Sequence, residues 1–219
     1  MNYPDAHSKL PLAKEGLPFI GICLAFTLFF ILVDLPILAC LAGGLTLFVG
    51  FFFRDPERHL PHDPAAILAP ADGKILKIEH MEADKSPLGV SAIKLSIFMS
   101  LFNVHVNRCP TQGVVEEINY KPGKFFSAQL DKASKYNERN SIFLKTPEAD
   151  KILLIQIAGI IARRIVCWLK AGDKVAAGQR LGLIRFGSRV EVYLPSHCRI
   201  VVEAGQKVKA GQTIIGYSS

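Results

Sequence analysis

Three side chains in this sequence are of types that together support nucleophilic chemistry. Ser188 follows Gly187, His105 lies in the segment NVHV, and Asp72 lies in PADG. A serine hydroxyl is a poor nucleophile unless a base takes its proton, and a carboxylate commonly orients that base. Taken singly, an Asp-Gly pair is usually a turn and a histidine in a strand is usually structural. Residue type alone therefore leaves a structural and a functional role open for each.

The segments that carry these residues have the pattern of short strands. From Ala65 onward, apolar and polar residues alternate between Gly, Pro and Asn, which is typical of half-buried strands. We predict strands at 73–79, 92–99, 103–109, 113–120, 141–145, 151–158, 163–169, 188–194 and 198–204. Residues 125–140 are predicted to hold one short helix or an ordered loop, and no long amphipathic helix is predicted here.

An internal repeat near the C-terminus indicates the architecture. KAGDKVAAGQ (170–179) matches EAGQKVKAGQ (203–212), and each copy has two glycines six residues apart followed by an apolar strand. Glycine accommodates the positive φ of tight turns. The repeat resembles the turns of biotinyl and lipoyl carrier domains, and APADGKI (69–75) resembles the opening of the same fold. We therefore predict a mainly β domain of barrel-sandwich-hybrid character and assign the repeat no chemistry.

Two apolar runs precede this domain. Residues 17–33 and 35–53 contain no charged side chain; Asp34 separates them, and each run approaches the roughly 20 residues that cross a bilayer. Asp34 and the proline at 36 predict a turn, so the runs form a helical hairpin that spans or re-enters the membrane. Basic residues on both flanks place its ends on the cytoplasmic face; Arg54 and Arg58 are predicted at the lipid interface.

The charge distribution favours a membrane partner. The formal net charge is +7; residues 1–53 carry −1, so residues 54–219 carry +8. A basic domain beside an apolar anchor suits an anionic lipid surface. No helix or aromatic pattern of a nucleic-acid-binding module is present, so no nucleic-acid partner is predicted. The five scattered cysteines form no CxxC pair and predict neither a disulfide framework nor a metal site.

Five segments together resemble the short-chain, bacterial and archaeal type of phosphatidylserine decarboxylase proenzyme. They are FFRDPER (52–58), PADGKI (70–75), NVHV (103–106), PGKFFSAQLDKASKYNERN (122–140) and RFGSRVEVYLP (185–195). The resemblance runs from about Phe52 to the C-terminus and includes the apolar hairpin.

The resemblance implies self-cleavage between Gly187 and Ser188. The serine hydroxyl attacks the glycine carbonyl, the resulting ester is eliminated, and Ser188 becomes a pyruvoyl group. The products are a β chain, 1–187, and an α chain, 188–219. Asp72 and His105 match the family's Asp-His-Ser set for this step. No motif for pyridoxal phosphate is visible, so the electron sink is built from the chain itself.

For the mature protein, the resemblance implies conversion of phosphatidylserine to phosphatidylethanolamine and CO2 through a Schiff base. Longer family members have a second histidine at the position of Phe102, so the proton donor after decarboxylation is His105 or a bound water. The anionic headgroup needs positive or amide partners. Candidates for these contacts are Arg189, Lys124, Asn137 and Arg139.

Three alternatives stay open at this point. A membrane-anchored barrel-sandwich adaptor or carrier would share the repeat but would not be cut, although the lysine motif of a carrier and the coiled coil of an adaptor are absent. A pyruvoyl decarboxylase could act on a related lipid such as archaetidylserine. A conventional serine hydrolase would lack the GxSxG elbow.

The expected organisation is an anchor, residues 1–58, followed by a decarboxylase domain, residues 59–219. The enzyme is expected on the cytoplasmic face of a bacterial membrane, with its own β and α chains associated. The sequence leaves open whether it forms a homo-oligomer.

Overall fold

The computed structural model describes residues 11–129, 131–159, 164–185 and 187–218. These residues fall into two compact units, one that ends at Glu57 and one that begins at Arg58.

The first unit is a helical hairpin. A 3-10 turn (Lys14–Gly16) leads into α1 (Leu17–Leu32), and α2 (Pro36–Phe52) follows. Asp34 has a φ of 56°, a left-handed conformation that aspartate tolerates better than most residues, and it reverses the chain. The hydroxyls of Thr27 and Thr46 lie 3.1 Å apart and join the two helices. The hairpin prediction is confirmed.

The outer surface of this hairpin is apolar. None of the side chains of α1 is buried, and Leu32, Ile37 and Leu47 are each more than three-quarters exposed. The span Lys14–Leu32 has a mean hydropathy of 2.1 and is long enough to cross a bilayer, whereas α2 has 17 residues. An apolar helix with no buried side chain differs from the core helix of a soluble domain, which is mostly buried.

The second unit is mainly β. Its described residues form fourteen strands and one short helix, α3 (Asp131–Tyr136). The strands are β1 (Ala66–Leu68), β2 (Gly73–Met81), β3 (Ala92–Met99), β4 (Val106–Arg108), β5 (Gly113–Lys121), β6 (Arg139–Lys145), β7 (Lys151–Ala158), β8 (Ile165–Cys167), β9 (Lys174–Val175), β10 (Arg180–Ile184), β11 (Ser188–Pro195), β12 (Arg199–Ile200), β13 (Lys207–Val208) and β14 (Ile214–Tyr217).

One curled eight-stranded sheet dominates the domain, in the order β13-β2-β3-β11-β7-β6-β5-β9. Two three-stranded sheets, β1-β14-β12 and β4-β10-β8, complete it. The core face of the large sheet carries apolar rows such as Leu95, Val192, Leu154 and Ile142, which are paired across four strands and buried. The predicted β architecture is confirmed, and the strands at 92–99 and 151–158 have the predicted bounds.

The domain consists of two similar halves. In one half Val208 pairs with Gly73, and in the other Val175 pairs with Gly113. Both glycines approach a backbone carbonyl of the next strand so closely that a Cβ would lie 2.1 Å from it in the first half and 2.5 Å in the second. The repeat turns agree as well, because Gly172 and Gly205 have φ of 90° and 91°, and Gly178 and Gly211 have φ of 72° and 71°.

The halves differ at one end. Strands β6 and β7 are joined there by a tight turn at residues 146–150, in which Thr146 N–H donates to the Asp150 carbonyl at 2.9 Å. The equivalent ends of β3 and β11 are paired through Met99 and Ser188 but are far apart along the chain. Ser188 therefore begins its strand where the other half has a hairpin turn.

Candidate active site

Ser188 is the first residue of β11, in the middle of the large sheet. It pairs with Met99 of β3 on one side and Ala158 of β7 on the other, and it is fully buried. Its hydroxyl donates to the Met99 sulfur at 3.4 Å. Since alternate residues of a strand share a face, the Ser188 hydroxyl lies on the core face of the sheet.

The peptide before Ser188 lies against a glycine. Gly187 has a φ of 64°, a left-handed conformation that glycine adopts without steric cost. A Cβ placed on Gly159 would come within 2.1 Å of the Gly187 carbonyl oxygen. Gly159 thus leaves the space in which the carbonyl of the predicted scissile bond sits.

His105 is held at the same end of the sheet. The turn after β3 is closed by Asn103, whose side chain accepts from both the backbone N–H and the hydroxyl of Ser100 at 2.8 Å. His105 follows with 2% exposure, and its carbonyl accepts from Ile184 N–H at 3.4 Å, four residues before Ser188. Phe102, in the same turn, is 69% exposed. The hydrogen bond to Ile184 places His105 beside the segment that precedes the Gly187–Ser188 bond. The role of His105 as the base stays a prediction.

Asp72 lies in a clasp with Arg58. Both carboxylate oxygens accept from the Arg58 guanidinium at 3.1 and 2.9 Å, and one also accepts from Ala210 N–H at 2.8 Å. Arg58 donates in addition to the Gln212 side chain at 2.9 Å. The Arg58 side chain is only 9% exposed. Its predicted place at the lipid interface is therefore wrong.

This clasp does not touch the Ser188 hydroxyl. Asp72 precedes β2, and β3 lies between β2 and β11, so paired residues of β2 and β11 are about 10 Å apart at the usual strand spacing. The backbone hydrogen bond from Arg108 N–H to the Pro70 carbonyl, at 2.9 Å, places the segment before Asp72 beside β4. The role of Asp72 in cleavage stays a prediction.

Asp72→Asn is expected to lower the free energy of unfolding by about 3 kcal/mol, because it leaves a nearly buried guanidinium without its counter-charge. The measurement is denaturant unfolding in detergent, in a Ser188→Ala background so that all chains are uncut. The matched control is Glu116→Gln, which removes an exposed pair with Lys151 and should cost less than about 1 kcal/mol. Equal losses of unfolding free energy in the two variants would show that the clasp stabilises the fold no more than an exposed ion pair does.

Arg189 lies on the opposite face of the sheet from Ser188. Its guanidinium donates to the Ser134 hydroxyl at 2.9 Å and contacts the Glu191 carboxylate at 3.4 Å. Glu191 also accepts from Ser134 at 2.6 Å and from the Tyr193 hydroxyl at 3.1 Å. Burial and the nearby Glu191 carboxylate raise the pKa of Tyr193 far above its usual range, so the phenol stays a donor. This position holds α3 against β11, and the contact of Arg189 with substrate stays a prediction.

The other three predicted substrate contacts lie around α3. The Asn137 side chain is buried; it donates to the Phe126 and Ala158 carbonyls at 2.8 and 2.7 Å and accepts from Phe126 N–H at 2.9 Å. These hydrogen bonds connect the loop before α3 to the end of β7. Arg139 donates to the Ser134 carbonyl at 2.7 Å, and the Lys124 side chain is exposed. Their roles toward a headgroup stay predictions.

A chain of buried amides leads to Ser188, and no sequence pattern indicated it. Asn140 donates to the Gln156 side chain at 3.1 Å, and Gln156 donates to the Asn107 side chain at 2.9 Å. Asn107 in turn donates to the Met99 sulfur at 3.6 Å. Each amide is at most 2% exposed. The chain ends on the same sulfur atom that receives the Ser188 hydroxyl.

Comparison with known proteins agrees with this arrangement. A sequence profile described as phosphatidylserine decarboxylase matches residues 45–216. A phosphatidylserine decarboxylase proenzyme of Desulfotalea psychrophila is 49% identical over 208 residues, which cover 95% of this chain and 97% of the relative. A proenzyme of the same description from Syntrophus aciditrophicus is 48% identical, covering 94% of this chain and 96% of the relative. Another, from Geotalea uraniireducens, is 46% identical, with coverages of 96% and 98%.

Both the profile and the relatives include the segments that contain Asp72, His105 and Ser188. The match extends over nearly the full length of each relative, so it covers the whole domain rather than a shared repeat. The chain therefore belongs to the phosphatidylserine decarboxylase family, whose members are carboxy-lyases.

Proposed function

We propose that this chain cuts itself between Gly187 and Ser188 and, with a pyruvoyl group derived from Ser188, converts phosphatidylserine to phosphatidylethanolamine and CO2. The observation that carries the proposal is the position of Ser188: a buried hydroxyl at the start of a central strand, next to a peptide carbonyl seated against Gly159. Family membership supports this function over the adaptor and carrier alternatives.

The cleavage follows from groups within the chain. The Ser188 oxygen attacks the Gly187 carbonyl carbon while His105 takes the hydroxyl proton. The C–N bond breaks, the nitrogen is protonated, and an ester joins Gly187 to the Ser188 oxygen. Removal of the Ser188 Cα proton then breaks the Cβ–O bond and releases the Gly187 carboxylate. The unsaturated residue takes up water and loses ammonia, which leaves a ketone at the new terminus.

The surroundings of Ser188 fit a small planar ketone. The niche at Gly159 has no side chain, and a Cβ on Gly187 would meet nothing within 4 Å, so there is open space beside the departing residue. When formed, the ketone would supply an electron sink for the substrate amine's carbon after CO2 departs. The protein contributes burial, which shields the site from bulk water, and a strand paired on both sides, which fixes the terminus.

The two products of cleavage are held together by the sheet. Strand β11 of the α chain lies between β3 and β7 of the β chain and is paired along its length with β3. The clasp adds contacts across the cut, because Asp72 and Arg58 bind Ala210 and Gln212. We therefore propose that α and β stay associated after maturation.

The anchor and the basic domain suit a lipid substrate. We propose that residues 1–58 attach the protein to the membrane and that residues 59–219 act on its cytoplasmic face, as the basic flanks of the hairpin favour. Lys124 and Arg139 lie near α3, where they could meet an anionic headgroup. Arg189 and Asn137, the other two candidate headgroup contacts, also hold this region in place.

Intact-mass measurement of the purified protein tests the proposal. We expect two chains, with an α chain of residues 188–219 whose N-terminus lacks an amine. Borohydride with phosphatidylserine present should attach the lipid to that chain, because reduction fixes an amine on a ketone. A single intact chain that remains active would contradict the proposal. CO2 release from archaetidylserine, compared with phosphatidylserine, separates the two lipid substrates.

A further inference from the structure

We infer that the Met99 sulfur clamps the Ser188 hydroxyl in the uncut chain and thereby slows self-cleavage. The inference rests on the proposed cleavage at Gly187–Ser188. It assigns a role to Met99, which contacts the nucleophile, and to the amides that fix Met99 in place.

Only one of the two groups can donate the hydrogen bond between Ser188 and Met99. A thioether sulfur has no hydrogen, so the Ser188 hydroxyl at 3.4 Å must donate to it. Sulfur accepts a hydrogen bond weakly, but it does not take a proton at neutral pH. While the hydroxyl points at Met99, its proton is therefore directed away from any base, and attack requires the hydroxyl to turn.

The sulfur is itself held in place. A methionine side chain has three rotatable bonds and readily changes shape. Here the Asn107 amide donates to the sulfur at 3.6 Å, and Gln156 fixes Asn107 with a bond of 2.9 Å. Asn140 fixes Gln156 in the same way at 3.1 Å. The three amides are buried, and their hydrogen bonds run in one direction toward the sulfur.

The hydrogen bond between Ser188 and Met99 affects the rate of self-cleavage. The hydroxyl–sulfur bond exists in the ground state and is lost when the proton moves to a base. An interaction stronger in the ground state than in the transition state raises the barrier. Removing the sulfur should therefore accelerate cleavage by about twofold to fivefold, the range expected for a weak hydrogen bond.

Norleucine replaces the sulfur with a methylene group and keeps the shape of the side chain. Cell-free synthesis in lipid nanodiscs, with norleucine in place of methionine, can follow release of the α chain on denaturing gels. In a Met81→Leu background the substitution affects Met99 and Met1 alone. The same Met81→Leu chain made with methionine is the matched control, and Met99→Leu provides a genetic version.

Faster cleavage of the norleucine chain, with circular dichroism matching the control, is the expected result. If the Met99 side chain were needed only for packing, norleucine would leave the rate of cleavage unchanged, because it keeps the shape of the side chain. An equal or lower rate overturns the clamp. If the methionine-containing control is not cut between Gly187 and Ser188 at all, the proposed function fails, and that outcome is distinct from a cut control with an unchanged norleucine rate.

Discussion

Ser188→Ala is expected to yield one uncut chain without decarboxylase activity. Alanine keeps the Cβ but has no oxygen to attack the Gly187 carbonyl, and no ketone can form at that position. Because the side chain is fully buried and small, the loss of its single hydrogen bond to Met99 should change stability by only about 1 kcal/mol. Mass spectrometry and CO2 release measure the two losses.

The control for this variant is Ser196→Ala. Ser196 follows the same strand, at its far end, and is exposed. This protein should be cut and active like the unmodified chain. If the Ser188→Ala protein still gave two mature chains, the cleavage site would have to lie elsewhere in the sequence.

Gly159→Ala is expected to slow self-cleavage by about a hundredfold or more. The added methyl carbon would lie 2.1 Å from the Gly187 carbonyl oxygen and 3.0 Å from its carbonyl carbon. One of the two segments must therefore move by about 1 Å, and a displacement of that size in a reacting pair typically costs about a hundredfold in rate. The rate of appearance of the α chain is the measurement.

A matched control is Gly44→Ala in α2, where a new Cβ meets nothing within 4 Å. It should be cut at the unmodified rate. Circular dichroism of Gly159→Ala separates a misplaced carbonyl from an unfolded domain. Normal cleavage of a folded Gly159→Ala chain would show that the close approach is irrelevant to the reaction.

Local patterns were sufficient to predict most of the fold. Strands β3 and β7 follow runs of apolar residues that end at polar or turn-forming neighbours, and the glycine repeat specified both hairpin-like turns. The equivalence of Gly73 and Gly113 in the two halves could not be recognised from the sequence. The two segments, APADG and CPTQG, share only a proline and a glycine. Strands β9 and β13 have two residues each, too few for any periodicity to show.

The site was less predictable, because its contacts join distant segments. Nothing in the sequence links Asn107 to Gln156, or Arg58 to Gln212, until the sheets are assembled. The orientation of Arg189 could have been anticipated. Once residues 188–194 are taken as a strand, alternation alone puts neighbouring side chains on opposite faces.

The near-equivalence of the two halves shows why the proposed cut at Gly187–Ser188 needs no additional loop. One half has a turn at residues 146–150. At the equivalent place in the other half, β11 begins at Ser188, which pairs with Met99 although no turn connects the two residues. Severing the chain there costs the sheet none of its strand pairing, since β11 keeps both partners. A terminus made by the proposed cleavage would thus lie in the interior of the sheet, between two strands that are already paired with it.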